Sequence, residues 1–324
     1  MPKSKLPQPE ETLKGIECRI GVDLGGTKIE GIAIARDGNV LTRQRVLTPT
    51  GTGDETYGEI LGTVRDLILD LESTIGFKGS VGVGIPGTLS TTTRLVKNAN
   101  STSLIGHPLN RDLEDLLQRP IRLQNDANCF AFSEATDGAA TGADSIFGVI
   151  LGTGTGGGIV INGTLVPGVN GIGGEWGHNS LPWPRNNELP GPDCYCGKQG
   201  CIETFLSGPG LQLSYFRRTG LRITAEEISL RAYAGEQHAT AVLTTYEDRL
   251  ARGLAGIINL VDPAVIVLGG GLSNIGRLYD NVPSLWTGYV FSDDVCTTLV
   301  KAHHGDSSGV RGAAWLWSES EIWG

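Results

Sequence analysis

The chain has 324 residues, enough for two domains of ordinary size. Lys and Arg number 26 against 35 Asp and Glu, a formal net charge of −9 with no basic block, which argues against nucleic-acid and anionic-membrane partners. Apolar residues make up 39%, and no apolar run reaches membrane-spanning or signal-peptide length, so disordered and helical-membrane compositions are excluded and a cytoplasmic protein is expected. In chain order, Glu17–Val22 reads as a strand, Asp23–Lys28 as a turn and Ile29–Ala35 as a returning strand. Asp37-Gly38-Asn39 is a hairpin turn into a strand at Val40–Val46. Ile60, Val64, Leu67, Ile68 and Leu71 stand at helical spacing within Tyr57–Leu71. A short buried strand at Val81–Ile85 runs into Pro86-Gly87; a helix at Leu109–Leu117, a strand at Ile121–Leu123 and a helix from Asp126 to Thr136 follow.

The pattern then repeats. Ser145–Leu151 is a strand, Gly152–Gly158 a glycine turn, Ile159–Asn162 a returning strand, and Asn162-Gly163 a hairpin turn into Leu165-Val166. Strand, glycine turn, strand and hairpin thus occur twice, about 125 residues apart, which predicts two similar α/β lobes facing each other across a cleft. Gly208–Gly256 is largely helical by period, Ala264–Leu268 is a buried strand ending in Gly269-Gly270-Gly271, Leu272 starts a helix, and Gly309–Leu316 is another.

Glycine is over-represented, at 48 residues and outside any repeat or low-complexity tract, so it marks specific tight turns where backbone amides can approach an anion. Gly25-Gly26-Thr27-Lys28 lacks the spacer of a P-loop, and Gly152-Thr153-Gly154 is followed by a strand where a dinucleotide fingerprint needs a helix. What remains is a β-turn-β offering N–H groups and a threonine hydroxyl to phosphate; an ordinary hairpin turn is the alternative for either one alone. Two such turns in duplicated positions, with Gly269-Gly270-Gly271 after a strand, favour a nucleotide.

Six cysteines do not make a disulfide scaffold in a chain this long: Cys18, Cys129 and Cys296 are dispersed, and Cys194, Cys196 and Cys201 are clustered. With His178 the cluster supplies a closed Cys3His set, which suits a structural zinc better than an iron–sulfur cluster. A zinc on one ring nitrogen of His178 would fix the other as an N–H donor. With Glu175 and Glu203, that donor could ring a polyhydroxylated ligand, and Asn98 and Asn100 could add amide contacts. Asn125-Asp126 precedes a helix and reads either as an N-cap or as a base kept ionised by the helix N-terminus. His303 and His304 read as a solvated loop or a packing element.

Asp23-Leu24-Gly25-Gly26-Thr27-Lys28, Gly152–Gly158, Glu175-Trp176-Gly177-His178 and Cys194-x-Cys196-Gly-x-x-Gly-Cys201-x-Glu203 together resemble the ROK family of bacterial sugar kinases and repressors, from about Arg19 to the end. Val96–Thr102, Asn125–Cys129 and His304–Gly312 are similar to its bacterial fructokinases of the manno(fructo)kinase type. The resemblance implies a duplicated, actin-like, hexokinase-type (ribonuclease H-like) α/β fold of two lobes around a cleft. Residues 1–18 would be an extension, 19–125 a smaller lobe that also takes a helix at about 308–324, and 126–307 a larger lobe with the zinc loop. It implies Asp126 as catalytic base and Gly87, Asn100, Asn125, Asp126, Glu175, His178 and Glu203 as sugar-binding residues. ATP phosphates would lie on Asp23, Gly25, Gly26, Thr27 and Lys28 and on Gly152, Thr153, Gly154, Gly156 and Gly157, with Mg2+ bridging them. Gly269, Gly270 and Gly271 would take the adenosine side, and His178, Cys194, Cys196 and Cys201 the zinc.

The implied activity is phosphorylation of a hexose, fructose first, with glucose, mannose or N-acetylglucosamine as alternatives, in a homodimer. A sugar-responsive repressor of the same family is disfavoured, because the 22 residues before Asp23 fall short of a helix-turn-helix. The insert Asn179–Asp193, with Pro182, Trp183, Pro184, Pro190 and Pro192, is expected to be a stiff wall near the sugar.

Overall fold

A computed structural model describes residues 16–99 and 101–323. Most of the expected extension, and the expected sugar ligand Asn100, lie outside the described residues. The chain divides into two compact units: one runs to Cys129 and includes Gly168–Gly171 and Gly309–Gly324, and the other comprises Phe130–Pro167 and Ile172–Ser308. Among the described residues no helix is long and apolar enough to cross a membrane.

The first unit is built on β1 (Ile16–Leu24), β2 (Lys28–Ile34), β3 (Val40–Leu47), β4 (Lys78–Ile85) and β7 (Ile121–Asn125), in the order β3-β2-β1-β4-β7. A small hairpin, β5 (Thr88–Leu89) and β6 (Val96–Lys97), stands apart from it. β1 is antiparallel to β2 and parallel to β4, and β4 is parallel to β7. Ile20, Val22, Val81 and Val83 are fully buried, the run of β-branched residues expected of strands covered on both faces. On one face lies α1 (Gly53–Ile75), burying Ile60, Val64, Leu67, Ile68 and Leu71 as its period predicts. On the other, Gly21 and Gly82 leave room for the chain of the terminal helix. A methyl group on either would collide with the carbonyl oxygens of Val310 and Ala313. α2 (Leu109–Leu117) completes this unit, and α3 (Asp126–Thr136) follows β7 directly.

The second unit repeats the plan with β8 (Ser145–Leu151), β9 (Thr155–Ile161), β10 (Thr164–Leu165), β11 (Val265–Gly269) and β12 (Thr298–Lys301), in the order β10-β9-β8-β11-β12. In both sheets an antiparallel three-strand meander is followed by parallel strands. The expected duplication is therefore real. The helices here are α4 (Ile202–Leu206), α5 (Gly208–Thr219), α6 (Ala225–Tyr233), α7 (Gln237–Val261) and α8 (Arg277–Trp286); α9 (Ser308–Trp315), from its second residue on, and α10 (Glu319–Trp323) belong to the first unit. α7 is the central one: Val242, Leu243, Tyr246, Leu250 and Leu254 pack in one core with Phe147, Leu151 and Leu268 from the sheet.

Three readings shift. The second glycine turn spans only Gly152–Gly154, because Thr155 onward already pairs with β8. The helix expected from Leu272 is a 3-10 turn, Gly271–Asn274, and α8 begins only at Arg277. β12, with two of its four residues exposed, carries no clear alternation and was not expected.

Candidate functional site

In the first unit β1 delivers Asp23 to the mouth of a tight turn. Gly25 N–H donates to the Lys28 carbonyl at 3.1 Å, and Thr48 fastens the turn from outside. Its hydroxyl donates to Gly25 O at 2.7 Å and its N–H to Thr27 O at 3.1 Å. Gly26, Thr27 and Lys28 are left exposed. At the end of β7, the Asn125 side-chain oxygen accepts from Ala127 N–H at 3.0 Å and Asn128 N–H at 3.2 Å, and its amide donates to Gly87 O at 3.1 Å. The capping role thus falls to Asn125. Asp126 takes the first turn of α3, where its Oδ1 accepts from Ala127 N–H at 2.8 Å and the helix N-terminus favours a negative charge. Asn125 and Gly87, both expected near the sugar, are bonded to each other.

Asp23 and Asp126 sense one another. Burial, then the Asp126 charge and then Glu30 push the Asp23 carboxyl up to about 7, against the opposing pull of Lys28. Among the described residues none donates a hydrogen bond to that carboxylate. A half-buried carboxylate in this condition suits a cation.

In the second unit Gly152 N–H donates to Gly154 O at 3.0 Å, and the turn is held by distant residues. Gly208 N–H donates to Gly152 O at 2.8 Å, and Glu203 Oε2 accepts from Thr155 N–H at 2.9 Å. The turn opens on a cleft of about 740 Å³ lined by Gly152, Thr153, Gln212, Glu226, Tyr233 and Gly271, with Leu230, Leu272 and Ile275 as apolar walls. Its size and mixed lining suit a nucleoside whose phosphates reach the turn. Of the expected adenosine residues, Gly271 lines this cleft. Gly270 lines a separate cavity of about 530 Å³ with His303 and His304, and Gly269 ends β11 against the Phe130 ring. Gly156 and Gly157 lie in β9: Gly156 O accepts from Trp176 Nε1 at 3.0 Å, and Gly157 faces Phe147 and Trp176. Gln212, Glu226 and Tyr233 were not foreseen. The capped helix start at Ser207-Gly208-Pro209 was the signal available for them, since Ser207 accepts from Gly210 N–H.

The four expected metal ligands converge: the ligand atoms of His178, Cys194, Cys196 and Cys201 lie within 4.8 Å of one another. Cys194 Sγ is 3.6 Å from His178 Nδ1, and Cys196 Sγ is 3.6 Å from Cys201 Sγ. Tetrahedral zinc with Zn–S near 2.3 Å sets sulfur pairs about 3.8 Å apart, so the set fits. The knuckle is closed by Cys194 N–H to Lys198 O at 2.8 Å and Gly197 N–H to Cys194 O at 3.0 Å.

Glu175, His178 and Glu203 form one electrostatic cluster. Burial raises the Glu175 carboxyl, His178 counters and Glu203 adds to the rise. Tyr195, 70% exposed overall, belongs to it too: partial desolvation, then the Glu203 and Glu175 charges, raise its phenol. Its hydroxyl lies 2.9 Å from His178 Nε2, the nitrogen expected to face a ligand. Tyr195 was missed although it stands between two of the cysteines.

The insert Asn179–Asp193 is anchored on α7. Glu188, buried, receives Arg252 Nη2 and Nη1 at 2.8 and 2.9 Å and Arg249 Nε at 2.8 Å, while Arg252 also donates to the carbonyls of Pro182 and Trp183. Burial would raise the Glu188 carboxyl, but these guanidinium bonds and the Arg185 N–H hold it at about 2. An ionic clamp, more than proline content, stiffens the insert. His303 and His304 donate backbone N–H groups to Glu134, and His304 Nε2 lies 3.1 Å from Asp137, a packing role.

A profile described as the ROK family matches residues 19–320. An N-acetyl-D-glucosamine kinase of Pectobacterium carotovorum subsp. carotovorum (strain PC1) is 40% identical over 300 residues, covering 91% of this chain and 97% of that protein. The crystal structure of a ROK hexokinase from Thermus thermophilus matches with a TM-score of 0.80 at 30% identity, over 92% of this chain and 96% of that one. A ROK family glucokinase from Streptomyces griseus, in complex with glucose and AMPPNP, matches with a TM-score of 0.75 at 28% identity, over 92% and 98%.

Proposed function

This chain belongs to the ROK family, and from that premise we propose that it transfers the γ-phosphoryl group of ATP to a hexose, N-acetylglucosamine before others. The carrying observation is a single unit in which a nucleoside-sized cleft opens on the Gly152–Gly154 turn, with Glu203 bonded to the residue after that turn. The sugar follows from the relatives: the Pectobacterium kinase named for N-acetyl-D-glucosamine is matched over 97% of its length.

Asp126 accepts the proton of the attacking hydroxyl, worth roughly 10²–10⁴ in rate, and the helix start beneath it keeps it ionised. Asn125, held by its bond to Gly87, and Glu175, His178 and Glu203 present donors and acceptors to the sugar. The amides of the two turns take phosphate oxygens, and Gly271 borders the nucleoside. Mg2+ bound with the nucleotide would neutralise phosphate charge, and Asp23 is the carboxylate that would hold it. His178, Cys194, Cys196 and Cys201 would hold zinc as a structural tie, since a closed set has no open position for substrate.

Fructose is the second reading, favoured by Val96–Thr102 and His304–Gly312. An ADP-release assay over N-acetylglucosamine, glucose, mannose and fructose separates the two. The expected kcat/KM for N-acetylglucosamine exceeds that for fructose by at least about tenfold, or about 1.4 kcal/mol in transition-state binding. The reverse order would establish fructose. A homodimer is proposed from family resemblance, and sedimentation of a monomer at micromolar concentration would refute it.

A further inference from the structure

We propose that Glu134 is a positioning residue for phosphoryl transfer, a buried tie between the helix that bears Asp126 and the helix that starts beside Asp23; this rests on the kinase reading above. Glu134 follows Asp126 by just over two turns of α3 and is fully buried. Its two carboxylate oxygens take four donors. Oε2 accepts from Ala139 N–H at 2.8 Å and His303 N–H at 3.0 Å, and Oε1 accepts from the Ser308 hydroxyl at 2.7 Å and His304 N–H at 3.3 Å. None of the four is a charged side chain. The carboxylate is therefore buried as a multiple acceptor and not as half of an ion pair.

The bond to Ser308 matters because of what α9 touches next. Ser308 is the first residue of α9, and Gly309 lies against Asp23: a methyl group there would stand 3.6 Å from the carboxylate. One turn further on, Gly312 meets the Cys129 carbonyl so closely that a methyl group would collide with it. Cys129 itself is one turn after Asp126. α3 and α9 thus touch at two places, the bare backbone contact of Gly312 on Cys129 and the polar knot at Glu134. The first resists closer approach but leaves one helix free to slide along the other. Glu134 adds the directional bonds that fix their register. In that register the backbone of α9 backs Asp23, the carboxylate assigned to Mg2+, while α3 holds Asp126 toward the attacking hydroxyl. A shift of about 1 Å in either group can cost on the order of 10²-fold in rate.

The test is steady-state kinetics of the intact protein, with ATP, free Mg2+ and the hexose that wild type turns over fastest each varied in turn. Glu134→Gln keeps the shape of the side chain but turns an amide N–H toward N–H donors. Its kcat should fall at least about thirtyfold with both KM values within about threefold of wild type, the split expected when reacting groups are misplaced and substrate binding is kept. The Mg2+ concentration for half-maximal rate should rise at least about threefold, because Asp23 loses the backbone behind it. Ser308→Ala removes one of the four donors and should show the same pattern at about three- to tenfold in kcat; it carries the test if Glu134→Gln does not fold. Thr297→Val removes a buried bond of 2.8 Å to the Pro263 carbonyl elsewhere in the second unit. It should lower the Tm and leave the kinetic constants unchanged. Normal kcat and Mg2+ dependence in folded Glu134→Gln or Ser308→Ala, raised KM with kcat unchanged, or an equal loss of kcat in Thr297→Val would overturn the tie and leave the kinase reading standing. A wild type that phosphorylates no sugar would overturn both.

Discussion

The two glycine turns have the same local form, each closed by the N–H of its first glycine onto a carbonyl two or three residues on. They differ in what secures them and in the carboxylate beside them. The turn at Gly25–Lys28 is secured by Thr48 at the end of the adjoining hairpin, and its neighbour Asp23 is half-buried with a raised pKa, from desolvation and then the charge of a second carboxylate. The turn at Gly152–Gly154 is secured by Glu203 and Gly208, some fifty residues on, and its carboxylate is committed to a backbone N–H. The first corner keeps a carboxylate in want of a cation. The second uses one as a fastening. Duplication of a β-turn-β can therefore supply two phosphate-sized turns whose chemistry and dependence on the rest of the chain diverge.

The sharpest way to break the second corner is through the Cys3His set, because Glu203 follows Cys201 by two residues. The purified protein should carry about one zinc per chain, and Cys196→Ser or chelation should lower the Tm by at least about 5 °C. Hydrogen exchange should rise at residues 152–155 and stay low at β1 and β2. Equal loosening of both turns would remove the distinction, and absence of metal in protein prepared without chelator would remove the zinc.

The first corner should respond to pH instead. With a folded pKa of about 7 against an ordinary value near 3.9, Asp23 holds a proton in the fold that the unfolded chain has lost between those pH values. Its contribution to stability therefore declines as pH rises through that window. Asp23→Asn removes the titration. It should match wild type near pH 4 and exceed it at pH 8 by on the order of 2 kcal/mol, read from Tm without nucleotide. A variant less stable than wild type at pH 8 would contradict the raised Asp23 carboxyl.

The smallest difference is steric. Alanine at Gly154 meets Glu203 Oε2 at 2.7 Å, whereas alanine at Gly26 finds nothing nearer than Ser101 Oγ at 3.8 Å. Gly154→Ala should raise the KM for ATP about tenfold, and Gly26→Ala by no more than about threefold. Equal effects would place the turns in equivalent surroundings.

Much of this is legible in the sequence. β1 to β3 follow from alternation and Asp37-Gly38-Asn39, and the metal knuckle from ligands only seven residues apart between Cys194 and Cys201. The second turn is shorter than its glycines suggest, because glycine usually marks a turn, whereas Gly157 is glycine to admit Phe147 and Trp176 against β9. Asn125-Asp126 is ambiguous in sequence, and hydrogen bonding divides the two, the cap to Asn125 and the first position of the helix to Asp126. The Glu188–Arg252 clamp joins residues 64 apart in the chain, and no periodicity signals such a pair. Charges of opposite sign far apart in sequence look like ordinary surface until packing brings them together.

The central claim is phosphoryl transfer from ATP to a sugar hydroxyl with Asp126 as the base. Mass-spectrometric quantification of both products, with N-acetylglucosamine, ATP and Mg2+, tests it directly in wild type and Asp126→Ala run side by side. The account predicts ADP and sugar phosphate in equal amounts from wild type, and a rate lower by roughly 10²–10⁴ in a variant that melts like wild type. ADP without sugar phosphate for every hexose tried, or near-normal turnover by Asp126→Ala, would contradict it.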